Sequence, residues 1–104
     1  MEINRNEIGT YKIQNNAFKD IAAIAANKIK NIYPVGKKDN DFVACKIDKN
    51  NIMTITLSLR VKQGIDVVKL CNEIQDSVHD NILLMTGVDC QNINIDILGF
   101  EKDK

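Results

Sequence analysis

Residues 52–100 read IMTITLSLRVKQGIDVVKLCNEIQDSVHDNILLMTGVDCQNINIDILGF, and this stretch decides the fold. Met53, Ile55, Leu57, Leu59 and Val61 alternate with Thr54, Thr56, Ser58, Arg60 and Lys62. A period of two predicts a long strand with one face buried and one face wet, so the sheet is expected to be open to water on one side. Gly64 breaks the alternation. Asp66 offers a side chain that caps a helix start and places its charge at the positive end of the helix dipole. Val67, Cys71, Ile74, Val78, Ile82 and Met85 then recur every three or four residues, one apolar stripe of an amphipathic helix. Lys69, Asn72, Glu73, Asp76 and Asp80 lie largely away from that stripe. Met85-Thr86-Gly87 ends the helix, because glycine takes the left-handed C′ position without a Cβ penalty.

A second alternating strand follows. Val88 and Cys90 share one parity and Ile93, Ile95 and Ile97 the other. Two readings accommodate the slip. Either a β-bulge near Gln91 and Asn92 keeps both sets facing the core, or Val88 and Cys90 belong to the connecting turn.

Upstream, residues 1–8 read as a flexible N-terminus, and Thr10 to Ile13 as a short strand. Asn15 or Asn16 can cap a first helix with Phe18, Ile21, Ala22, Ala25, Ile29 and Ile32 on one stripe. Tyr33-Pro34 is expected to end it, since the residue before proline disfavours the α region. Residues 35–41 form a polar loop. Gly36 with Lys37 and Lys38 suggests a phosphate cradle, but no helix follows and the P-loop spacing is absent, so a solvated loop is the better reading. Phe42 to Ile47 makes a strand, and Asp48-Lys49-Asn50-Asn51 is turn chemistry joining it to the long strand as an antiparallel hairpin. The order is strand, helix, strand, strand, helix, strand. It predicts an α+β two-layer sandwich with both helices on one face of a small mixed sheet. If the last two strands are neighbours, they run parallel through a right-handed crossover. Residues 9–100 are one domain and 101–104 a tail.

With 104 residues the chain is a single domain that buries roughly 65% of its unfolded surface. Fourteen basic residues balance fourteen acidic ones, so no global field attracts nucleic acid or anionic lipid. The three cysteines, Cys45, Cys71 and Cys90, sit in apolar patterns without a CxxC spacing, and read as reduced core thiols of a cytoplasmic protein. Met1 to Glu7 is too polar for a signal peptide, and no apolar run approaches the roughly 18 residues of a membrane span.

No catalytic, cofactor or metal constellation emerges. His79, the single histidine, has only Asp76 at helical spacing, and a metal site needs three or four ligands. It reads as an exposed helix residue. Glu73, Asp76 and Asp80 form a charged face, and Ser77 has no base aligned with it. The element order also occurs in small RNA-binding modules, which stack bases on sheet-face aromatics. The outward positions of the long strand are Thr54, Thr56, Ser58, Arg60 and Lys62, none aromatic, so nucleic acid is not expected.

The run Val61-x-x-Gly64, the helix containing Ile74-Gln75, Met85-Thr86-Gly87, and Ile93-Asn94-Ile95-x-Ile97-x-Gly99-Phe100 resembles the alkaline shock protein family of bacterial envelope stress proteins. The similarity extends back through the first helix and covers most of the chain. Two features depart from the family: residues after Phe100 are only Glu101 to Lys104, where many members carry a charged extension, and Lys28 to Pro34 replaces a corner usually built from glutamate, glycine and valine. The resemblance implies a non-enzymatic, cofactor-free cytosolic scaffold that forms homo-oligomers and reaches the membrane through a small membrane-anchored protein, without inserting directly. One branch of the family is associated with acetyl-CoA carboxylase and lipid synthesis, which gives an alternative regulatory role. Leu83 and Leu84 lie off the core stripe, at positions the family tends to keep polar. They are either covered by the N-terminal segment or exposed, and if exposed they join Val68 and His79 as the candidate partner interface.

Overall fold

The computed structural model describes residues 7–37 and 40–102. The elements are α1 (Glu7–Asn27), β1 (Ile32–Pro34), β2 (Val43–Ile47), β3 (Met53–Lys62), α2 (Val67–Thr86) and β4 (Asn92–Glu101). Residues 1–6 of the expected flexible N-terminus, Lys38 and Asp39 of the polar loop, and the last two residues of the tail lie outside the described residues.

β3 is the axis of the molecule. β2 pairs antiparallel with its first half (Val43 opposite Leu57, Ile47 opposite Met53), and β1 antiparallel with its second half (Ile32 opposite Val61). β1 and β2 therefore lie end to end along one side of β3, and β4 runs parallel along the other. The expected mixed sheet, two-layer α+β architecture and parallel β3–β4 crossover are all present. The hairpin turn also forms as its residues dictate: the Asp48 carboxylate accepts the N–H groups of Asn50 (2.8 Å) and Ile52 (3.0 Å), and Asn51 takes φ 64°, the left-handed region that asparagine tolerates.

Met53, Ile55, Leu57, Leu59 and Val61 are all buried, facing Phe18, Ala22, Ala25 and Ala26 of α1 and Leu70, Ile74, Val78 and Ile82 of α2. Small alanines let α1 approach its neighbours closely. Ser77 Oγ donates to Ala25 C=O at 3.0 Å, tying the two helices together. α2 begins and ends where expected: Asp66 accepts the Lys69 N–H at 3.2 Å, and Gly87 sits at φ 79° with its N–H on Leu83 C=O. The other sheet face, with Thr54, Thr56, Ser58 and Asn94, carries no helix among the described residues.

Three local expectations are corrected, and one open choice is decided. Thr10 to Ile13 is helical, within α1, so the order is helix, strand, strand, strand, helix, strand. Both sides of β3 are already paired by β1, β2 and β4, and within α1 helical bonds satisfy the backbone of that segment locally. Neither Asn15 nor Asn16 caps α1, which starts at Glu7. The helix ends at Asn27, well before Pro34: tighter bonds from Lys28 N–H to Ala25 C=O and from Ile29 N–H to Ala26 C=O close it, Asn31 turns at φ 72°, and Ile32 to Pro34 become β1. Ile29 and Ile32 still pack on the core. Of the two readings of the parity slip, the second holds: Val88 and Cys90 belong to the connection before β4, and the register shift of that strand falls instead at Leu98, between Leu59–Ile97 and Arg60–Gly99.

Candidate interaction surface

The α2 stripe is Leu70, Ile74, Val78 and Ile82, each four residues from the last. Leu70 belongs to it and Met85, expected there, does not: Met85 is 66% exposed. The cause is overhang. α2 runs antiparallel to β4, and Gln75 Nε2 donates to Ile93 C=O at 2.8 Å, which places Gln75 above the first turn of that strand. Met85 lies ten residues further along the helix, about 15 Å, past the start of both β3 and β4. With no described strand beneath it, even a core-facing position meets water. Leu83, Leu84, Met85 and Val88 are consequently all exposed, Leu84 most of all at 84%. Val68 is also exposed, but it sits sixteen residues from Leu84 on the same helix, about 24 Å away. The structure thus gathers Leu83 and Leu84 with Met85 and Val88 at one end of α2 and leaves Val68 at the other.

His79 is less isolated than its sequence context implies. Its Nε2 meets Asp89 Oδ1 at 2.5 Å and its Nδ1 meets Asp80 Oδ1 at 3.1 Å. Gln91 Nε2 donates to the same Asp89 oxygen at 2.7 Å. Carboxylates on both ring nitrogens favour the imidazolium: Asp89 first, then Asp80, raise the His79 pKa, and His79 with Gln91 lowers that of Asp89. Asp89 was not anticipated. Its signal is positional, two residues past the glycine C-cap, where a chain that reverses must run back along the helix end.

His79 also lines a cleft of about 310 Å³ with Gln75, Asp76, Cys90, Gln91 and Ile93. Its thiol is not a primed nucleophile, because burial pushes the Cys90 pKa up. Burial also raises Cys71, and it pushes Cys45 up to about 11. Among the described residues, no three His, Cys, Asp or Glu side chains converge to hold a metal ion, and no helix is long and apolar enough to cross a membrane. On the open sheet face Tyr33 stands opposite Arg60, and the Arg60 guanidinium is bonded to Glu101 and to Phe100 C=O.

A family model for the alkaline shock proteins, described by a cell envelope-related function, matches residues 3–101. No curated protein and no solved structure matches the chain.

Proposed function

Because the chain belongs to the alkaline shock protein family, whose function is cell envelope-related, we propose that it serves the envelope as a non-catalytic cytoplasmic scaffold. In this reading it self-associates and is brought to the membrane by a small membrane-anchored protein. The observation that carries the proposal is the overhanging end of α2. Leu83, Leu84, Met85 and Val88 expose apolar surface together, and burying such surface against another protein is favourable by about 25 cal/mol per Å². The unprimed thiols and the doubly paired His79 support a role without covalent chemistry.

Sedimentation velocity across a concentration series tests the reading. The wild type is expected to associate, and the double change Leu83→Glu with Leu84→Glu to shift it to monomer with unchanged circular dichroism. A wild type that stays monomeric throughout the series, or a variant that associates as strongly, defeats it. Co-purification from cells under envelope stress then separates the roles. A membrane-anchored partner supports recruitment, acetyl-CoA carboxylase subunits support the lipid-synthesis role, and RNA alone contradicts both.

A further inference from the structure

We propose that the outer edge of β4 is a docking site for an extended segment of a partner protein that places a basic side chain opposite Asp96. The argument begins with backbone direction. Ser58 N–H donates to Phe42 C=O and Lys62 N–H to Asn31 C=O. Even-numbered residues of β3 therefore bond away from β4, and odd-numbered ones bond toward it. Through the parallel register, Asn92, Asn94 and Asp96 turn their backbone groups to β3, while Ile93, Ile95 and Ile97 turn theirs outward. The Ile93 carbonyl is taken by Gln75. Ile95 and Ile97 present successive N–H and C=O groups on an edge that no described strand covers.

Natural sheets blunt such edges with lysine, proline or a bulge. β4 contains neither lysine nor proline, and its bulge comes only at Leu98, beyond the open groups. The flank is apolar. Val68 precedes Gln75 by seven residues, about 10.5 Å along α2, which corresponds to roughly three strand residues. It therefore stands beside Asp96 and Ile97, and it is 72% exposed. An added strand would lay apolar side chains against Val68, Ile95 and Ile97 on the helix side, and one side chain beside Asp96 on the open face.

Charge selects the occupant. If a second copy paired antiparallel about Asp96, the two Asp96 carboxylates would face each other, which is destabilising. Centred one residue earlier, on Ile95, self-pairing would need the Ile93 carbonyl that Gln75 holds. A foreign segment alternating apolar and basic residues meets neither obstacle. This edge is separate from the end of α2, so the inference does not depend on self-association.

The test uses the full chain, ¹⁵N-labelled, with two synthetic acetylated peptides, Thr-Val-Lys-Val-Thr and Thr-Val-Glu-Val-Thr. In the free protein the Ile95 and Ile97 amides are expected to exchange rapidly with solvent, and the lysine peptide to slow both. The lysine peptide should bind about threefold more tightly than the glutamate peptide, the scale of one cross-strand charge pair, and Asp96→Lys should invert that preference. Ile95→Pro, which deletes an outward N–H and leaves the β3 ladder intact, should abolish binding of both peptides. Amides already protected in the free protein, protection that grows with protein concentration alone, or binding indifferent to peptide charge and to Asp96→Lys would each overturn the proposal.

Discussion

The guanidinium of Arg60 lies close against Gly99: a Cβ built on that glycine would come within 2.7 Å of Arg60 Nη1 and 3.0 Å of its Cζ. From there Arg60 donates through Nε to Glu101 Oε2 at 2.5 Å and through Nη2 to Phe100 C=O at 3.1 Å. One side chain thus clamps β4 to β3 just past the Leu98 bulge. Gly99→Ala should push Arg60 off both acceptors. Because the pair is about two-fifths exposed, the expected loss is modest, about 1 kcal/mol. A double-mutant cycle with Arg60→Ala, read by urea melts, should give a coupling of at least about 0.5 kcal/mol. Strictly additive losses would mean the contact does not exist in solution.

Ile74 is fully buried at the centre of the α2 stripe. Ile74→Ala should cost about 2–5 kcal/mol, the usual range for truncating a buried aliphatic residue. A loss under half a kilocalorie would mean that this stripe does not face the core.

The overhang of α2 makes a paired prediction. Ile82 is fully buried and Met85, three residues on, is 66% exposed. Ile82→Ala should cost about 2–5 kcal/mol, and Met85→Ala less than about 1 kcal/mol, as for a surface change. Equal large losses would place a covering element over the helix end.

The His79–Asp89 pair sets a pH window. The His79 pKa is raised above its ordinary 6.5, so the imidazolium's contribution to stability is complete below that value and is lost as pH rises through the raised one. The Asp89 pKa is lowered from 3.8, so its contribution holds above that value and is lost as pH falls through the lowered one. The pair is therefore fully formed between about pH 4 and 6.5. An NMR titration should show the His79 pKa falling toward 6.5 in Asp89→Asn. An unchanged midpoint would show that Asp89 is not the partner that holds the proton.

What the sequence determined by itself was whatever rests on local periodicity and capping. The alternation from Met53 to Val61, the Asp66 cap, the left-handed Gly87 stop and the Asp48 turn are contacts among near neighbours, so residue order suffices to write them. Tertiary structure decided whatever depended on which partners were already taken. Thr10 to Ile13 stayed within α1, where helical bonds satisfy their backbone, and Ile32 to Pro34 became a strand because the second half of β3 was free on the side where β2 stops. Met85 left the core because the sheet ends before α2 does, a length mismatch between elements that no helical period records. Asp89 found His79 only because the chain reverses after Gly87. The same geometry, not the composition of β4, left Ile95 and Ile97 facing outward, since the direction of their backbone groups follows from which residues of β3 were spent on β1 and β2.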